Sequence, residues 1–176
     1  MLAVTSQMPT HAWLTLNDTL RRHATSWYAA SAHDAPVRPA ATDARDVDVC
    51  VIGAGYTGLN AALELASRGI ETTVLEAQRV GWGASGRNGG QVGSGHRLEQ
   101  PELEAWLGVR RAHELWRLSQ AAKQRVKGLI VEHAIDCDLQ PGIIYTAHRA
   151  RLEPRYRRLV AHMRERYNYR LLHFLD

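Results

Sequence analysis

A chain of 176 residues with 45% hydrophobic and 23% charged residues is long enough for one domain of common size and has the composition of a soluble globular protein. Its formal net charge is +4, its two cysteines, Cys50 and Cys137, do not make a disulfide framework, and no apolar run approaches the roughly 20 residues of a membrane helix. An integral helical membrane protein is excluded; the N-terminus also lacks the basic start, apolar block and small-residue cleavage site of a secretory signal, so a cytoplasmic location is the expectation.

Residues 11–24 carry Trp13, Leu16, Leu20 and Ala24 at helix-like intervals, which predicts a short amphipathic helix. From Ala29 to Arg45 the chain has two prolines, much alanine and no apolar period, and reads as a connecting arm. Residues 1–45 are therefore an N-terminal helix plus arm, and the compact fold is expected to begin near Asp46. The run DVDVCVI is β-branched and almost continuously apolar, the mark of a parallel strand covered on both faces, with Cys50 packed as a small hydrophobe. After GAGYTG, the alanine and leucine run LNAALELASRG predicts a helix stopped at Gly69, and IETTVLE predicts a second strand. Strand, glycine turn, helix and strand within about 30 residues make a βαβ unit.

Further on, residues 101–107 and 109–133 read as helices with a break at Gly108, the second carrying Leu115, Leu118, Ala122, Val126 and Leu129 as its apolar stripe. The segment IDCDL, the dipeptide Pro141-Gly142 and IIYTA read as strand, type II turn and strand. Eight arginines lie between residues 147 and 176, but Leu152, Tyr156, Leu159, Val160, Met163 and Tyr167 recur at helical spacing, so the arginines are read as the solvated face of an amphipathic helix rather than a nucleic-acid surface. The nine histidines form no HExxH or Cys/His cluster, and no metal site is expected.

Eleven of the fourteen glycines fall between Gly53 and Gly95, and that crowding locates the candidate site. In GAGYTG, Gly53 permits a tight turn, Gly55 lets backbone approach a pyrophosphate, and Gly58 lets the helix pack on the strand. Helix N–H groups would then face the phosphates. Glu76 ends the second strand at the position where a carboxylate receives ribose hydroxyls and repels a 2′-phosphate, which disfavours NADP. The same residues fit a blander role, with Glu76 merely ending a strand and Gly58 merely packing. The unit alone does not separate NAD from FAD. The second cluster, AQRVGWGASGRNGGQ, is small enough to run beside a large flat ring.

On GAGYTG, on VLEAQRVGWGASGRNGGQ and on WYAAS before the arm, the sequence resembles the FAD-dependent oxidoreductases of the D-amino-acid oxidase superfamily, most closely amine oxidases of the γ-glutamylputrescine oxidase type. The resemblance implies an α/β fold: a Rossmann-type FAD-binding βαβ unit with flanking helices in residues 46–133 and the beginning of a substrate domain in residues 134–176. It implies FAD as cofactor, held by Gly53, Ala54, Gly55, Tyr56, Thr57 and Gly58 at the diphosphate turn and by Glu76 at the adenosine ribose. Ala77, Gln78 and Arg79 would lie at the adenosine end, Ala84 and Ser85 along the pyrophosphate, and Asn88, Gly89, Gly90 and Gln91 near the flavin. Arg87 is open to two readings, stabilising a reduced flavin or facing solvent. The implied reaction is oxidation of the C–N bond of a small amine or amino acid, with no catalytic residue assigned. Relatives run well past the length of this chain, so the closing FAD-domain segment and most of the substrate domain, the C-terminal half of the same fold, are expected to be missing and the chain alone to be inactive. Two other readings stay open: an NAD-dependent Rossmann enzyme, and a non-catalytic remnant or interaction module using its arginine-rich helix.

Overall fold

A computed structural model of the chain describes residues 22–33 and 36–175. The helix expected over 11–24 lies outside the described residues except at its last three positions, which carry no helix. The chain divides into two compact units, Met1–Gly89 and Gly90–Asp176.

The first unit is mixed α/β. A five-residue helix, α1 (Trp27–Ser31), starts where the Ser26 side chain accepts the Ala29 N–H. The arm therefore begins after Ser31 rather than at Ala29, and residues 36–46 have no helix or strand. Strand β1 (Val49–Ile52) pairs in parallel with β2 (Thr72–Leu75), with Val49 opposite Thr72 and Ile52 opposite Leu75. Helix α2 (Tyr56–Ser67) connects them. Its end is a Schellman motif: Gly69 adopts φ +75°, its N–H reaches Ala66 O, and the Ile70 N–H reaches Leu65 O.

The expectation of a strand covered on both faces is corrected. Along β1 half-buried and exposed residues alternate, so Cys50 is exposed and Ile52 is 87% exposed. Among the described residues the sheet has two strands, and α2 contacts both of them. Ala54 is the one buried residue among those described in this unit.

The second unit is helical. Helix α3 (Gln100–Leu107) opens with a reciprocal capping box between Glu99 and Glu102, and Gly108, at φ +79°, turns the chain into α4 (Val109–Glu132). Helix α5 (Glu153–Tyr167) ends at Asn168 in the left-handed conformation, where the Tyr169 N–H bonds Met163 O. The core is Leu103, Ala112, Trp116 and Met163. Glu104 ties α3 to α5 by accepting the Tyr167 hydroxyl at 2.7 Å and lying 3.0 Å from His162 Nε2. His113 stacks on the Tyr167 ring at 4.2 Å. The arginines of α5 lie on its exposed side, with Arg155 bridging to Glu99.

Two expectations fail here. The buried face of α4 is Ala112, Trp116 and Ser119, while Leu118 is 63% exposed and Ala122 and Val126 are also exposed, because α3 and the Tyr167–Tyr169 stretch pack on the Trp116 side. The strands expected around Pro141-Gly142 do not form. Gly142 adopts φ +90°, as a type II turn requires, but residues 134–147 are exposed throughout and have, among the described residues, no neighbouring strand with which to share backbone hydrogen bonds.

Candidate functional site

The glycine turn between β1 and α2 is built from backbone. Gly53 sits at φ +100°, where an L-residue is strained, and its N–H donates to Leu75 O at 2.7 Å. A Cβ at Gly58 would collide with the Gly53 carbonyl oxygen and press on Val51 Cγ1 at 3.2 Å. Helix and turn can therefore meet only if residue 58 has no side chain. Gly55 has a related constraint, since its Cβ would stand 3.0 Å from Ser85 Oγ.

Glu76 closes the turn from the other strand. Its Oε2 accepts the Ala54 N–H at 2.8 Å and its Oε1 accepts the Gln78 N–H at 2.9 Å. The carboxylate is only half-buried, and each oxygen keeps a lone pair for a further donor. A ribose hydroxyl is such a donor.

The second glycine cluster returns to this turn. The Gly81 N–H donates to Ala54 O at 2.9 Å, and Ser85, within the short 3₁₀ turn Ala84–Gly86, accepts the Tyr56 N–H at 3.0 Å. Ser85 thus satisfies the first N–H of α2, whose N-cap residue Gly55 has no side chain to do so. The next two, on Thr57 and Gly58, have no acceptor among the described residues. Those donors and the positive end of the helix dipole make this an anion-receptive terminus.

Of the residues singled out from sequence, Gly53, Ala54, Gly55, Tyr56, Thr57, Gly58, Glu76, Gln78 and Ser85 come together around this turn. Ala77 and Ala84 are exposed and Arg79 is half-buried. Asn88 Nδ2 donates to Ala84 O and Ser85 O, which braces the 3₁₀ turn. Arg87 Nε donates to Trp82 O, and its guanidinium lies 4.5 Å from the centroid of the Trp82 ring. Gly89, Gly90 and Gln91 are exposed.

Gly81 and Gly86 belong to the small-residue loop, and the structure adds a steric relation between them. A Cβ at Gly86 would collide with the carbonyl oxygen of Gly81, itself at φ +70°, repeating the relation between Gly58 and Gly53. The signal was available in the equal spacing of the two glycine pairs, each five residues apart. No helix among the described residues is long and apolar enough to cross a membrane.

Residues 48–176 match the family described as DAO, FAD dependent oxidoreductase. The chain is 46% identical over 151 residues to "Probable oxidoreductase OrdL" of Rhizobium meliloti (strain 1021), covering 86% of this chain and 35% of that protein. It is 38% identical over 128 residues to "Gamma-glutamylputrescine oxidoreductase" of Escherichia coli (strain K12), covering 73% of this chain and 30% of that protein. The chain thus spans about a third of the length of these curated relatives. No solved structure matches it.

Proposed function

This chain belongs to the DAO family of FAD-dependent oxidoreductases, and from that premise we propose that its first unit is a Rossmann-type site for the adenosine diphosphate half of FAD. The single observation that carries this reading is the turn itself. Gly58 has no room for a Cβ, the Thr57 and Gly58 N–H groups await an acceptor, and the Glu76 carboxylate stands at the same turn. In this reading Gly53, Ala54, Gly55, Tyr56, Thr57 and Gly58 receive the diphosphate, with Ala84 and Ser85 alongside it. Glu76 takes the ribose, and Ala77, Gln78 and Arg79 line the adenosine end. Asn88, Gly89, Gly90 and Gln91 belong to the flavin end.

FAD, when bound, supplies the acceptor for a hydride equivalent from the substrate. The substrate we propose is a small amine or amino acid oxidised at its C–N bond, of the kind named in the γ-glutamylputrescine relative. The chain's own residues bind and orient the cofactor, and the elements that bind substrate belong to further parts of the fold. The same need shows in the first unit, where Ile52, Tyr56 and Leu75 are exposed and a two-stranded sheet lacks the cover a layered domain provides. The C-terminal half of the family fold is the partner that would cover them, and without it the chain holds FAD weakly and turns over no substrate.

Backbone amide NMR with ADP and with FAD tests the site. Shifts at Thr57 and Gly58, competitive between the two ligands, are expected; no shift at either residue at millimolar ligand would sink the assignment. Gel filtration tests the weak binding, which stoichiometric yellow flavin retained on the 176-residue chain would overturn. Peroxide formed from γ-glutamylputrescine in proportion to this chain would likewise overturn its inactivity.

A further inference from the structure

Lys123 of α4 is half-buried, and no carboxylate among the described residues stands within ion-pair distance of its ammonium. Its Nζ donates to Ser94 Oγ at 2.6 Å and lies 5.4 Å from the centroid of the Tyr169 ring. Ser94 Oγ and the Tyr169 hydroxyl are 3.0 Å apart. Three segments meet here: the loop before α3, the middle of α4 and the stretch after α5. A cation withdrawn from water without a counter-charge is costly, and a nearby anion offsets that cost.

An ammonium only donates, so Ser94 Oγ accepts from Lys123 and keeps its own O–H to donate. Either hydroxyl can donate in the bond between Ser94 and Tyr169. An anion beside Tyr169 selects the arrangement in which Ser94 donates to the Tyr169 oxygen and the Tyr169 O–H turns to the anion, strengthened by the ammonium behind it. The trio is held in place by the Gly95 N–H on Ser119 Oγ at 3.1 Å, by the edge contact of Trp116 with Tyr169 at 5.0 Å and by the Tyr169 N–H on Met163 O.

We propose that Lys123, Ser94 and Tyr169 form a binding site for a carboxylate. The remaining Lys123 N–H groups and the Tyr169 O–H are its donors. One positive charge matches a monoanion, which is why a carboxylate rather than a phosphate dianion is assigned. The site uses none of the residues given to the cofactor, so it stands or falls apart from the FAD assignment.

The test is an acetate titration of the 176-residue chain at constant ionic strength, read at the Ser94 and Gly95 amides by NMR. Saturable shifts with acetate, absent with equal chloride, are expected. K123M should weaken the response roughly tenfold or more and Y169F by less, as loss of a charged and a neutral donor implies. Shifts equal with chloride, a K123M chain that responds like the parent, or phosphate binding more tightly than acetate would each overturn the proposal. Circular dichroism checks both variants; if either loses its helices, the response of the parent chain with acetate, chloride and phosphate decides.

Discussion

The Glu76 carboxylate accepts the Ala54 N–H at 2.8 Å, joining the end of β2 to the turn that follows β1. A second bond from the Gln78 N–H uses its other oxygen. Replacing Glu76 with Ala removes both of these bonds, one of them to the buried Ala54, and the expected loss is about 1–3 kcal/mol of unfolding free energy. Glu76→Gln keeps one acceptor oxygen and should lose less. Urea denaturation followed by circular dichroism gives both values, and an unchanged midpoint for Glu76→Ala would show that the turn does not depend on this side chain.

Two glycines separate steric need from indifference. Gly58→Ala forces a methyl against the Gly53 carbonyl and should destabilise the chain by about 1–3 kcal/mol, the usual range for overpacking. Gly128, inside α4 with nothing within 4 Å of its would-be Cβ, should instead gain about 0.5–1 kcal/mol on replacement by Ala, because alanine favours a helix interior. Thermal unfolding of the two variants should therefore move in opposite directions.

Ser85 caps a helix from a distant loop. Ser85→Ala removes the acceptor of the Tyr56 N–H and should lower stability by about 1 kcal/mol. Ser85→Thr keeps the oxygen and should retain most of it. Amide hydrogen exchange in the first turn of α2 is the sharper reading, with faster exchange at Tyr56 expected in the alanine variant alone.

The Glu104 cluster sets a pH dependence. Burial pushes the Glu104 carboxyl up, but the hydrogen bonds from Tyr167 and His162, with the His162 and Arg166 charges, outweigh it and hold the group below the usual glutamate range. A lowered pKa contributes stability that is fully present above the ordinary glutamate value and is lost as pH falls through the folded-state value. Glu104→Gln should flatten the acid arm of a stability profile taken from roughly pH 7 down to 3. An unaltered acid arm would assign it to other groups.

Tyr167 works in the other direction. Burial first, then the bond to Glu104, pushes its hydroxyl up to about 12. The neutral phenol is favoured in the fold, so this contribution is fully present below the ordinary value of 10.0 and is lost as pH rises toward about 12. Tyr167→Phe should flatten that alkaline arm, and ultraviolet titration of the phenolate checks the assignment directly.

Much of the candidate site could be read from residue order. The turn needs positive φ at Gly53 and an absent side chain at Gly58, and both requirements are local, so the spacing of two glycines between a β-branched run and an alanine-leucine run displays them. Helix limits at Gly69 and Gly108 are legible for the same reason, since caps act within a few residues. The family resemblance implies a place for Ser85 along the pyrophosphate, but its bond to the Tyr56 N–H links positions 29 residues apart and has no local signature.

Periodicity misled where several faces were apolar. Leu115, Leu118, Ala122, Val126 and Leu129 keep helical spacing as well as Ala112, Trp116 and Ser119 do, yet the second set is buried. A strand likewise needs a neighbour, and the β-favouring residues around Pro141-Gly142 found none. Order along the chain determined the elements whose causes are near in sequence: the glycine turns, the caps and the parallel pair joined by α2. Tertiary structure decided which helix face is covered, that β1 shows one side to solvent, and that Lys123, Ser94 and Tyr169 meet, because packing partners and charge neighbours are fixed by distances in space that no local pattern encodes.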